Sequence, residues 1–174
     1  MNDIELIWGD DKNTDEIEGI KRGKNIIDIL SNHNINPNSI LDLCCGKGYV
    51  LSGISEELPD ADCCGIDIRS YDEWTKYSNI DEYGRYSMIK FQIDSFQHFI
   101  NTSEDNFDLV LMLETWRNWT MVAENNLIWR RNLVAWLKDH AKYFICTGSL
   151  FELESYPNEI IAKDITSTLY LVTL

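Results

Sequence analysis

An acid, two vicinal cysteines and two glycines fall within seven residues, Asp42-Leu43-Cys44-Cys45-Gly46-Lys47-Gly48, directly after the apolar pair Ile40-Leu41. Glycine lets a turning backbone approach a ligand closely, and in an open parallel α/β sheet ligands sit beyond the carboxyl ends of the strands. An apolar run, an acid and a glycine turn that opens a helix therefore read as a nucleotide-binding edge. Two more acids end later apolar runs: Asp67 in Gly65-Ile66-Asp67-Ile68-Arg69, and Asp94 in Gln92-Ile93-Asp94-Ser95-Phe96. Asp67 follows the glycine turn by about twenty residues, an offset also expected of a dinucleotide-binding fold, so spacing alone does not decide which nucleotide is bound. Lys47 suggests phosphate, but Gly46-Lys47-Gly48 lacks the hydroxyl and the spacing of G-x-x-x-x-G-K-[ST], which argues against an ATPase.

The elements that must position these residues alternate. Acids in the first turn and Ile17, Ile20, Ile27 and Leu30 on helical spacing predict a helix over 14–32, broken by a stretch containing Pro37. A buried strand over 39–43, a helix over 49–58 stopped by Pro59-Asp60, and a strand over 61–68 complete a parallel βαβ unit. The polar and aromatic stretch 70–86, with Tyr71, Trp74, Tyr77, Tyr83 and Tyr86, reads as a helix and then a loop. Its rings either line a pocket or form a packed helix face. Strands over 88–93, 107–113 and 143–147 alternate with a short helix over 95–101 and a long one over 122–140, in which Trp129 and Trp136 are core residues. Runs at 159–165 and 168–174 are joined by Thr166-Ser167 alone, too short for a parallel crossover, so they form an antiparallel hairpin.

Five alternating strand and helix units closed by a hairpin, together with these strings, resemble the class I S-adenosylmethionine-dependent methyltransferases across nearly the whole chain. The resemblance implies an α/β fold: a doubly wound, mostly parallel seven-stranded sheet with a C-terminal antiparallel hairpin, in three αβα layers. It implies S-adenosyl-L-methionine as cofactor and S-adenosyl-L-homocysteine as product. Asp42 would hold the cofactor's ammonium, directly or through water, and the backbone of Cys44, Cys45, Gly46 and Gly48 would wrap its methionine part. Asp67, followed by Ile68, corresponds to the ribose-binding acid, and Asp94 with Ser95 to the site of the adenine amine. Asp94 would equally serve as the cap of the helix that starts at Ser95. Leu51 stands where a dinucleotide fingerprint has its third glycine, which favours methyl over hydride transfer. Cys44 replaces the family's first glycine; a negative φ there tolerates a side chain, whereas a positive φ weakens binding. The strand-four segment runs through Leu113 to Glu114-Thr115-Trp116-Arg117-Asn118 and resembles that of small-molecule methyltransferases. Arg117 and Asn118 replace the family's Glu-His, which removes a histidine base.

Methyl transfer is an in-line displacement at an activated sulfonium carbon, so the protein mainly aligns the acceptor and excludes water. If the acceptor must lose a proton, Glu114 is the candidate base; its alternative role is to pair with Arg117 or position the loop. Trp116 and Trp119 are candidates to stack on a planar acceptor or to face the sulfur cation. His33, His98 and His140 fall at helix ends and on the short helix, away from this edge, and read as structural or solvated. The alternative from another class is a binding module or methyltransferase-like partner subunit without catalysis.

Composition narrows the partners. The 174 residues, 44% hydrophobic, suit a single domain, 1–174, with an N-terminal helical segment over 1–35 and a core over 36–174. No apolar run is long enough to span a membrane and no signal peptide is recognisable, so a cytoplasmic location is expected. A net charge of -14 disfavours nucleic acid unless a basic partner supplies cations, although Lys21, Arg22 and Lys24 cluster, as do Arg130 and Arg131. Five cysteines in the pattern 44, 45, 63, 64 and 146 are no secreted disulfide framework. Cys44 and Cys63, at opposite ends of parallel neighbours, stand roughly 13 Å apart at ~3.3 Å per residue, so neither a disulfide nor a zinc site is expected. Almost no insertions are available to select a substrate, so an open pocket or one completed by a protein partner or a homodimer is expected.

Overall fold

The computed structural model describes residues 16–78, 89–113, 127–147, 156–163 and 168–174. Helix α1 (Glu16–Asn32) carries Glu16 and Glu18 in its first turn, where carboxylates oppose the positive end of the helix dipole. Asn34 ends it in a left-handed conformation, φ 58, with Ile35 N–H donating to Leu30 O and Asn34 N–H to Ser31 O, a Schellman closure. The chain then runs through β1 (Ser39–Leu43), α2 (Tyr49–Glu57), β2 (Asp62–Asp67), α3 (Glu73–Tyr77), β3 (Lys90–Ile93) and α4 (Phe96–Thr102). It continues through β4 (Phe107–Met112), α5 (Leu127–His140), β5 (Ala141–Thr147), β6 (Asn158–Lys163) and β7 (Thr168–Thr173).

The strands form one sheet in the order β3-β2-β1-β4-β5-β7-β6. β1 to β5 pair in parallel, and β7 lies antiparallel between β5 and β6. Winding reverses between β1 and β4, so the carboxyl ends of those two strands border the crevice where α/β sheets bind ligands.

Strands buried on both faces read as apolar runs because alternate side chains enter different cores. Leu41, Leu43, Val110, Met112 and Phe144 meet Phe99 of α4 and Leu133, Trp136 and Leu137 of α5. Ile40, Leu109, Leu111 and Ile145 meet Ile26, Ile27 and Leu30 of α1 and Leu51 and Ile54 of α2. Trp136 is buried and donates from Nε1 to Ser103 O, as core packing of this residue anticipates.

Several expectations shift. α1 and α2 touch backbone to backbone: a Cβ on Gly53 would stand 2.0 Å from Ile20 O, and one on Gly23 2.1 Å from Val50 O. Ile17, placed on the apolar stripe of its helix by spacing, is exposed, because burial follows the helix neighbours and not the spacing alone. The first basic cluster is not a surface patch, since Arg22 is buried and Lys24 pairs with Glu56 at 2.7 Å. β5 begins at Ala141, directly after His140, two residues earlier than its apolar run suggested. Among the described residues no helix is long and apolar enough to cross a membrane.

Candidate functional site

Asp42 sits near the carboxyl end of β1, in register with Gly65 of β2 and Leu111 of β4, and only 4% exposed. Burial, and then the Asp67 charge, push its carboxyl up to about 8, with Arg22 acting in the opposite sense. A cationic ligand group would offset both penalties.

Beyond Leu43 the backbone is left-handed at every second residue: φ is 66 at Cys44, 55 at Gly46 and 81 at Gly48. Cys45 N–H donates to Ile66 O at 3.0 Å, and Gly46 N–H to Asp67 Oδ2 at 2.9 Å. The loop is therefore hung on the end of β2. Among the described residues a Cβ on Gly46 would meet nothing within 4 Å, so the turn borders open space there, whereas one on Gly48 would stand 2.5 Å from Phe91 Cζ. Cys44 thus meets the positive-φ condition, and a non-glycine residue there costs about 1 to 2 kcal/mol. Its half-buried side chain packs on the core shared with Leu41 and Leu43.

Among the described residues no disulfide joins any of the five cysteines. Burial, and then the carboxylates of Asp42 and Asp67, raise Cys45 far above the ordinary thiol range. Partial burial pushes the half-buried Cys64 up to about 11. These groups stay protonated at neutral pH and are poor nucleophiles.

The short helix α3 braces the loop from outside. Trp74 donates from Nε1 to Gly46 O at 2.8 Å and stacks on Phe91, ring centroids 4.8 Å apart and 7° from parallel. Glu73 pairs with Lys47 at 3.0 Å and accepts from Tyr49 OH at 3.3 Å, so Lys47 is engaged within the fold. Trp74 and Tyr77 are buried, as a packed helix face requires. The sequence reading missed Trp74 as a contact of the glycine turn; an aromatic residue soon after the acid of β2 was the one signal, and it carries no periodicity.

Asp67 Oδ1 accepts from Arg69 N–H at 3.2 Å, and Asp67 O accepts from Asp94 N–H at 2.9 Å, which links the two acids across β2 and β3. The cap of α4 is Ser95, whose Oγ accepts from His98 N–H at 3.1 Å, and not Asp94. A hydroxyl at the extended N-cap position reaches the third amide, while the carboxylate one residue earlier turns to the side chains of its own edge. Asp94 Oδ2 lies 2.8 Å from His98 Nδ1 and accepts from Gln92 Nε2 at 3.3 Å. His98 therefore belongs beside this edge, contrary to the sequence reading, because one helical turn brings it back over Asp94. His140 stacks on Trp136 and contacts Asp105 O, away from the turn.

Ile68 is 66% exposed after Asp67, and Ile93, beside it in register with Asp67, is 63% exposed. Leu113 is buried in the core on the α1 and α2 side. The structure thus brings Asp42, Cys45, Gly46, Asp67 and Asp94 to one edge. Glu114, Trp116 and Trp119 lie outside the described residues.

No protein-family model and no curated protein matches the sequence. Solved structures do match. The bifunctional kinase-methyltransferase WbdD aligns with a TM-score of 0.62 at 18% identity, over 96% of this chain and 42% of that one. The plantazolicin methyltransferase BpumL, in complex with a monoazolic desmethylPZN analogue and S-adenosylhomocysteine, aligns with a TM-score of 0.62 at 15% identity, over 94% of this chain and 86% of that one. The methyltransferase domain of bacterial CtHen1 aligns with a TM-score of 0.60 at 16% identity, over 92% and 100%. The chain has the class I methyltransferase fold. It spans well under half the length of WbdD. Within the methyltransferase fold, the switch point between β1 and β4 stands beside the edge built from Asp42, the glycine turn and Asp67.

Proposed function

We propose that the chain is an S-adenosylmethionine-dependent methyltransferase that transfers the methyl group to a small-molecule acceptor by in-line displacement. The observation that carries this reading is the glycine turn: left-handed at residues 44, 46 and 48, held by Asp67, open above Gly46, with a buried carboxylate beneath it. When bound, S-adenosylmethionine supplies an activated methyl group on a sulfonium. Asp42 would take its ammonium and the backbone of residues 44–48 its methionine part. Asp67 would accept from the ribose hydroxyls, and Asp94 from the adenine amine, with Ile68 as an apolar neighbour. Glu114 would accept a proton from an acceptor that must lose one, and Trp116 and Trp119 would orient the acceptor. A protein partner or a second copy would complete the acceptor pocket.

A specific observation favours a second reading, a methyltransferase-like subunit without catalysis. The left-handed φ at Cys44 places a side chain on a position that suits glycine. Nucleic-acid methylation is disfavoured further by burial of Arg22 and by pairing of Lys24, which leave that basic cluster without a continuous surface.

Calorimetric titration with S-adenosylmethionine and S-adenosylhomocysteine tests the proposal. Saturable binding of both is expected, and Asp67→Ala should weaken it at least about tenfold with the circular dichroism spectrum unchanged. Absence of binding by either ligand overturns the enzyme reading. Binding that appears only in Cys44→Gly would establish the non-catalytic reading in its place.

A further inference from the structure

We infer that His98 is a positioning residue that makes Asp94 a selective acceptor for a nucleobase bearing an exocyclic amine. The inference deepens the proposed cofactor reading and rests on it. An ionised carboxylate offers acceptors alone, so at 2.8 Å His98 Nδ1–H donates to Asp94 Oδ2, the same oxygen that accepts from Gln92 Nε2. Two donors on one oxygen hold the carboxylate plane and, among the described residues, leave Oδ1 as the acceptor offered to a ligand.

The surroundings hold the pair in place. Asp94 N–H is tied to Asp67 O, so the adenine-side acid moves with the ribose-side acid. The His98 backbone is held at both ends, its N–H by Ser95 Oγ and its carbonyl by Thr102 Oγ1. The His98 side chain is 66% exposed and fills no core, whereas that of Asp94 is 15% exposed. Packing does not account for an imidazole there; its contact with the carboxylate does.

A fixed carboxylate attracts the amine of adenine and repels the carbonyl oxygen of hypoxanthine at the same ring position. A site built to bond one polar group rejects an analogue that lacks it. The full chain is therefore titrated calorimetrically with S-adenosylhomocysteine and with S-inosylhomocysteine. The wild type should bind the adenosyl ligand at least about tenfold more tightly. His98→Ala should reduce that ratio several-fold, chiefly by weakening the adenosyl ligand, and His98→Asn should restore it, since Asn Nδ2–H occupies the place of imidazole Nδ1–H.

Equal weakening of both ligands in His98→Ala would mark a merely structural role and overturn the inference, as would an unchanged ratio or a wild-type ratio near one. Failure of the wild type to bind the adenosyl ligand overturns the cofactor reading itself and this inference with it. Binding with an unaltered ratio overturns only the role of His98.

Discussion

Asp42 combines deep burial with a like-charged neighbour, and that combination has a measurable signature. Its carboxyl is raised to about 8 in the folded chain from the 3.8 of an unperturbed aspartate, so the native state binds this proton more tightly than the unfolded state does. The resulting stability is full below about pH 4 and is lost progressively as the pH rises through 8. Asp42→Asn keeps the shape of the neutral acid without the titration. Between pH 5 and pH 8, urea unfolding should show the wild type losing roughly 3 kcal/mol relative to the variant. Parallel stability curves for the two proteins would show that Asp42 is ionised throughout. The identity of this acid was readable because a carboxylate that closes an apolar strand before a glycine turn has few structural duties. Its charge state was not readable, because that depends on Asp67 and Arg22, which arrive from β2 and α1. The same holds for His98 and Asp94: a spacing of four residues permits the contact, but only the start of α4 at Phe96 decides that it forms.

At the scale of elements, the close crossing of α1 and α2 sets the position of the helix that begins at the glycine turn. Gly53 faces Ile20 O so closely that a methyl group there must push the two helices apart. Overpacking of this kind costs typically about 1 to 3 kcal/mol, more than the roughly 0.5 to 1 kcal/mol that alanine gains over glycine in a helix. Gly53→Ala should therefore lower the midpoint of chemical unfolding, and an unchanged midpoint would mean that the helices separate freely. Helix periodicity identified both elements and the buried Ile27 and Leu30 of α1. It gave no sign of the crossing, because a helix pattern reports which stripe is apolar and not which glycine another backbone will approach. A helix was legible at the start of the stretch 70–86, where α3 lies, but its hold on the turn was not, since that comes through the Trp74 and Glu73 side chains and not through a repeat.

For the whole molecule, the net charge of -14 sets long-range repulsion against local pairs such as Lys142 with Asp108 and Lys24 with Glu56. Exposed pairs contribute about 0 to 1 kcal/mol each and are screened by salt, whereas the excess of like charge is relieved by it. Raising sodium chloride from low to physiological strength should lift the thermal midpoint by about 2 to 4 °C; a fall would show that the pairs outweigh the repulsion. The amino-acid order by itself determined the alternation of strands and helices, the antiparallel close and the acids at the ends of β1, β2 and β3. Each is a local pattern of side-chain type along the chain. The tertiary structure alone decided that β7 lies between β5 and β6, that winding reverses between β1 and β4, and that Cys44 is left-handed. These depend on contacts between distant residues: the turn must pass Ile66 O and place Gly46 N–H on Asp67, and that closure, not the type of residue 44, sets its φ.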